Sequence, residues 1–291
     1  MNTFLLYVYT VLVWGSTWIA IKYQLGDISP IVSIAHRSGL SALIMLAVML
    51  PASRLTRLGP RDHLFVLAQG LSMFSVNYLF IYAAAGELTS GLIAVVFSTM
   101  VILNIINGAL FMGVPVRAGV VFGALLGLLG MGCIFLPELR ALDFSPAAVN
   151  ALLLCALGTL CASAGNIIAV RNHRQQLPVL TCNVWGMFYG SVALYALAAV
   201  RGEYIGIDWT VQYVGSLLYL SLFGSVLAFW AYVTLIGRIG PDRASYTTLL
   251  FPIVALLLST LLEGYQWTAW AVIGLLLVLS GNWIAMRRHR V

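Results

Sequence analysis

Charge is scarce in this chain: Asp, Glu, Lys and Arg together make up 8% of its 291 residues, while 62% are hydrophobic. No soluble fold of this length hides that much apolar surface, so the chain reads as an integral membrane protein. It also lacks the apolar–polar alternation that outer-membrane strands require. Its continuously apolar segments of about twenty residues therefore read as helices, which satisfy their own backbone groups in lipid. The N-terminus has no basic n-region and its apolar run is too long for a signal peptide, so it reads as a retained first span. The four cysteines, Cys133, Cys155, Cys161 and Cys182, have no metal-ligand spacing and lie in apolar runs. They read as small packing residues, and no metal or cofactor is expected.

Breaks at 26–29, 51–61, 85–87, 113–117, 137–146, 172–178, 202–208, 237–242 and 263–266 carry Gly, Pro or charge and separate ten apolar segments. Assigning loops to alternate sides puts Arg54, Arg57, Arg61, Arg117, Arg171, Arg174, Arg238, Arg243 and the C-terminal arginines on one side, against Arg140 and Arg201 on the other. The positive-inside rule makes the arginine-rich side cytoplasmic, and both termini with it. The net charge of +6 is thus a matter of topology, and no nucleic-acid partner is expected. All nine Asp and Glu residues fall in or beside loops, so no carboxylate is left for the membrane interior.

The second half echoes the first at an offset of about 150 residues. Gly123 and Gly130 match Gly274 and Gly281, Pro30 matches Pro178, and Ile19-Ala-Ile-Lys22 matches Ile168-Ala-Val-Arg171. Five spans per half force the halves into opposite orientations. The fold expected is an all-α integral membrane protein of ten transmembrane helices, two inverted five-helix repeats at 1–137 and 147–291 around a central cavity.

Trp14-Gly-Ser-Thr-Trp-Ile-Ala-Ile-Lys22 is the stretch that combines small, aromatic and cationic residues at helix length. Trp14 falls near the midplane, with Trp18 one turn along the same face and Lys22 one turn further. The other ionisable residues well inside apolar segments are His36 and Arg37. Lys22 either snorkels or faces the interior; Arg37, two turns deep, either ties backbone carbonyls or captures a substrate carboxylate. His36 reads as a hydrogen-bonded packing residue or a proton carrier. Asn77, Tyr78, Tyr82, Asn166, Trp185, Tyr189, Trp230 and Tyr246 are polar or amphipathic groups at membrane depth. They suit either helix packing or the wall of an apolar cavity with a few hydrogen-bonding groups.

The stretch from Trp14 to Lys22, Ser29-Pro30 leading to Arg37, and Leu250-Phe-Pro252 resemble the EamA repeats of the drug/metabolite transporter superfamily. The aromatic-rich central spans are most similar to the YddG-type amino-acid exporters. The family pattern has a proline in both the fourth and the ninth span; here Thr99 stands where the first would be, and Pro252 marks an expected hinge. The resemblance implies a bacterial inner-membrane protein that exports small metabolites by alternating access, with Thr99 and Pro252 lining the cavity.

The function expected is secondary export of amino acids, aromatic and medium-sized apolar ones first, with the lipid bilayer as the other partner; the sequence leaves the oligomeric state open, a monomer included. Without a carboxylate at depth, and with Arg37 beside His36 disfavouring an imidazolium, transport is expected to be uncoupled from ions. Export of a nucleotide-linked or phosphorylated solute is the alternative within transport, though it would want more cations than are available. An intramembrane hydrolase using Ser16 or Ser41 with His36 is the alternative outside it; no serine sits in a nucleophile elbow, and no enzymatic activity is expected.

Overall fold

The computed structural model describes residues 1–24, 26–85, 87, 88, 90–140, 142, 145–262 and 267–286, and the described residues form helices and no strand. Local sequence accounts for most helix starts. Asn2 caps α1 (Thr3–Lys22) by accepting from the Leu5 amide. Ser29 caps α2 (Pro30–Met49), and Pro30 fills a first-turn position whose missing N–H leaves nothing unpaired. Gly59-Pro60 opens α3 (Pro60–Ala84). Next come α4, in two pieces (Ser90–Ser98 and Met100–Met112), and α5 (Ala118–Ile134). Ser145-Pro146 repeats the Ser-Pro device at α6 (Pro146–Arg174). Then follow α7 (Val179–Val200), α8 (Val211–Ile239, capped by Thr210), α9 (Thr247–Leu262) and α10 (Ala269–Met286). Short helices, Leu136–Arg140 and Pro241–Ala244, sit between the long ones. Gly113 ends α4 at φ 62°, a left-handed conformation that a side chain would strain.

Among the described residues, six helices are long and apolar enough to cross a bilayer: α2, α3, α4, α6, α7 and α8. Thr3–Thr17, Ala118–Ile134 and Ala269–Ala285 are shorter apolar helices. The chain is a multi-pass membrane protein.

Irregular turns interrupt these helices. α3 widens into a π-helical turn at Ser72–Val76, and α8 does so at Leu220–Leu227. α4 breaks at Thr99, where consecutive hydroxyls turn back on the helix. Ser98 Oγ donates to Ala94 O at 2.7 Å and Thr99 Oγ1 to Val96 O at 2.6 Å. Such back-bonding competes with the helical ladder and bends it. α9, by contrast, stays helical through Pro252.

Packing between helices relies on small residues where backbones come close. A Cβ at Gly123 would lie 2.5 Å from the Gly281 carbonyl oxygen, and one at Gly130 would lie 2.6 Å from that of Gly274, so α5 and α10 are pressed together. α1 lies against α8 and α9, α2 against α7 and α8, and α6 against α3 and α4. The space these helices leave is the cavity.

Candidate functional site

A cavity of about 140 Å³ opens between α1, α2, α3, α4, α6, α8 and α9. One wall is aromatic. Trp14 of α1 packs its ring 4.8 Å from Phe229, 4.9 Å from Tyr232 and 5.3 Å from Phe251, and its Nε1 donates to Gly224 O at 2.9 Å. These edge-on and tilted contacts fix the indole as a rigid face.

The adjoining wall, which meets the first at Gly224 O, carries the site's one cation among the described lining residues, Arg37 of α2. Only 4% of this residue is exposed, so the charge must be held by protein groups. Its Nε donates to Ser225 Oγ at 2.8 Å and its Nη2 to Gly224 O at 3.3 Å, while Cζ lies 4.9 Å over the Tyr78 ring. A guanidinium held by neutral oxygens and a ring face keeps its full charge available to a ligand. Tyr82 and Asn77 of α3 also line the cavity, and the buried Asn77 Oδ1 has no hydrogen-bond partner among the described residues.

The floor is a hydrogen-bonded cluster. Asn166 Nδ2 of α6 donates to the Tyr232 hydroxyl at 3.1 Å and to Asn104 Oδ1 at 3.4 Å. Asn104 also accepts from Ser163 Oγ, which accepts from Asn107, and Asn104 Nδ2 donates to Pro241 O. This cluster ties α4, α6 and the end of α8 together beneath the cavity.

Of the residues singled out in the sequence, the cavity gathers Trp14, Arg37, Asn77, Tyr78, Tyr82 and Asn166. Thr99 and Pro252 each adjoin a lining residue, Met100 and Phe251, without lining it themselves. Other residues are placed elsewhere. Trp185 and Tyr189 stack together on α7 beside His63, whose Nδ1 lies 2.7 Å from the Tyr189 hydroxyl. Trp230 is half-buried against the core, and Tyr246 is fully buried, donating to Val120 O. His36 contacts the Tyr213 hydroxyl through Nδ1 at 3.2 Å and sits edge-on to Tyr195. The side chains of Trp18 and Lys22 lie outside the described residues.

Neither serine considered for hydrolysis meets His36. Ser16 Oγ pairs with the Tyr219 hydroxyl and Val13 O, and Ser41 Oγ donates to Arg37 O and Ser221 O. Among the described residues no group of His, Cys, Asp and Glu is arranged to hold a metal.

Sequence reasoning did not single out Tyr232, Phe229 or Phe251 in the wall, nor Asn104 and Asn107 behind the floor. Asn104 and Asn107 carried a usable signal, since two amides three apart on one face of an apolar helix look inward. Tyr232 did not. It follows the π turn of α8, where each extra residue in a turn rotates the next face by about 100°.

Comparison with known proteins places the chain among transporters. The profile of the EamA-like transporter family matches it at residues 1–136 and again at 150–287. An uncharacterized transporter of Archaeoglobus fulgidus is 26% identical over 99% of this chain and 100% of its own length. A probable amino-acid metabolite efflux pump of Escherichia coli K12 is 23% identical over 94% of this chain and 91% of its own. The uncharacterized inner membrane transporter YedA of the same strain is 28% identical over 92% and 87%. A solved crystal structure with 19% identity superposes with a TM-score of 0.80 over 98% of this chain and 96% of that one, a likeness of fold.

Proposed function

The chain belongs to the EamA-like transporter family of the drug/metabolite transporter superfamily, and from that premise we propose that it exports amino acids, aromatic and medium-sized apolar ones first, across a bacterial inner membrane. The observation that carries this reading is the composition of the cavity wall. One buried guanidinium faces aromatic rings and neutral amides, and no carboxylate lines the space among the described residues. Such a wall suits one carboxylate and an apolar side chain. It offers too few cations for a phosphate or a nucleotide. A dry cavity of about 150 Å³ holds a benzene, so the space is the right scale for an amino-acid side chain.

In this reading the helices form ten spans in two inverted repeats, 1–137 and 147–291. The family profile matching twice in succession supports it, as do the π turns at corresponding places in α3 and α8. Both termini face the cytoplasm, on the arginine-rich side. Arg37 receives the carboxylate, while Trp14, Tyr78 and Tyr82 pack the side chain and Asn77 and Asn166 answer the amino end. The halves rock about the break at Thr99 and about Pro252. Transport runs down the amino acid's own gradient: among the described residues the cavity is lined by no acid that could carry a proton, and His36 contacts Tyr213 and is not among the lining residues.

Reconstitution in liposomes tests this. Labelled tryptophan or methionine should cross saturably and a phosphosugar should not, with flux unchanged by a protonophore or by replacing sodium. A phosphosugar moving faster than either amino acid overturns the substrate class, and a tenfold loss of flux on adding the protonophore overturns the uncoupled mechanism.

A further inference from the structure

The α8 π turn presents a carbonyl that the helix itself bypasses. In an α-helix the Ala228 N–H would serve Gly224 O; here it goes to Phe223 O and Ser225 O. Gly224 O is instead taken by two side chains that line the cavity, Trp14 through Nε1 and Arg37 through Nη2. The neighbouring Ser225 hydroxyl accepts from Arg37 Nε, and Ser225 is itself buried. The turn is further held to α2 by Ser41 Oγ donating to Ser221 O and Ser221 Oγ donating to Arg37 O.

This arrangement divides the guanidinium. Its five N–H donors form a side-on edge, Nε with Nη2, and an end-on edge, Nη1 with Nη2. The side-on edge is spent on Ser225 and Gly224, and Nη1 makes no hydrogen bond among the described residues. An end-on pair of N–H groups matches the two oxygens of a single carboxylate. Tyr78 covers one face of the same group.

Resting on the reading of Arg37 as the carboxylate site, we propose that Ser225 and Gly224 are positioning residues that set substrate specificity. By holding the side-on edge they aim the end-on edge into the cavity, so the site takes compounds with one carboxylate and discriminates against neutral isosteres such as carboxamides. A second carboxylate on the solute finds no further cation among the described lining residues. Glycine at 224 belongs to the device, because a Cβ there would lie 3.0 Å from Thr17 Cγ2, which must give way, and would touch the held edge of the guanidinium, 3.5 Å from Arg37 Nη2.

The test compares methionine with methioninamide as competitors of labelled methionine flux in proteoliposomes, reading half-saturation and maximal flux separately. The wild-type protein should prefer the acid. Ser225→Ala should lower that preference roughly tenfold while maximal flux stays within about twofold, since a hydrogen bond to a charged group is lost but the charge remains. Ser225→Thr, which keeps the hydroxyl, should restore the preference, and Gly224→Ala should lower it in the same direction. Thermal unfolding in detergent identifies any variant that has lost its fold, and the remaining variant then decides. Wild-type preference in both Ser225→Ala and Gly224→Ala, alongside its loss in Arg37→Gln, overturns the positioning role and leaves the carboxylate site standing. Unchanged preference in Arg37→Gln overturns the carboxylate site itself.

Discussion

Helices α3 and α8 each widen into a π turn and α2 bonds to both, yet the two turns place their carbonyls in different company. In α8, Gly224 O meets a buried cation and an indole at the cavity. In α3, Phe74 O accepts from the neutral Ser38 hydroxyl at 3.1 Å. Beside the α3 turn, α7 is pressed against the helix: a Cβ at Gly70 would lie 2.2 Å from the Gly186 carbonyl oxygen, and one at Gly190 would lie 2.5 Å from Ser75 Oγ. The same local device thus serves close packing of α3 on α7 in one place and the aiming of a charge in the other. What separates the two uses is the neighbouring residues, because a π turn only releases ladder geometry and does not choose the donor that fills it.

The largest difference should appear when a methyl group is added to Gly70, just before the α3 turn, or to Gly224, within the α8 turn. Gly70→Ala pushes a Cβ into the Gly186 carbonyl oxygen, carbon and Cα, none of which can rotate away. Overpacking against backbone should cost about 2–3 kcal/mol or more and lower the heat resistance of detergent-purified protein measured by size-exclusion chromatography after heating. Gly224→Ala meets the side-chain ends of Thr17, Arg37 and Leu220, which can yield, so its stability should change far less. Equal heat resistance for the two variants would remove the distinction between a packing turn and a site turn.

Much of this was legible in advance, for definite physical reasons. Helix ends follow from short-range chemistry, so Asn2, Ser29, Ser145 and Thr210 each mark a start that could be read directly. Polar groups at membrane depth must be accounted for, and that rule points to Trp14, Arg37, Asn77, Tyr78, Tyr82 and Asn166, which the cavity brings together. The same rule points equally to Trp185, Tyr189, Trp230 and Tyr246, because a polar aromatic can be satisfied by a packing partner as well as by a cavity. Tyr246 found the Val120 carbonyl and Tyr189 found His63. Of α4 and α9, the helix that breaks is α4, where Ser98 and Thr99 turn their hydroxyls on their own backbone, while α9 remains helical through Pro252. Facing along α8 was not legible at all, since nothing in Leu220–Leu227 announces that the helical period changes there.

A smaller effect should follow from Trp14→Phe, which keeps an aromatic ring against Phe229, Tyr232 and Phe251 but removes the donor to Gly224 O. Loss of one neutral hydrogen bond should cost about 1 kcal/mol of stability. Arg37 then holds the carbonyl alone, so half-saturation for methionine should rise several-fold in the liposome assay. A variant with wild-type stability and wild-type half-saturation would mean that the shared carbonyl does not couple the two walls.

The smallest effect belongs to the α3 turn. Ser38→Ala deletes the hydroxyl that reaches Phe74 O, a neutral contact one position along α2 from Arg37. Hydrogen bonds between helices in a membrane average only about 0.6 kcal/mol, because the unfolded chain in lipid finds other partners. Heat resistance should therefore fall slightly. The preference for methionine over methioninamide should stay at the wild-type value, because Ser38 touches neither the guanidinium nor the carbonyl that holds it. The contrast is with Ser225, the serine that accepts from the charge itself. If Ser38→Ala lowers the preference as far as Ser225→Ala does, then α2 moves as one piece and its bonds to the two turns are not independent.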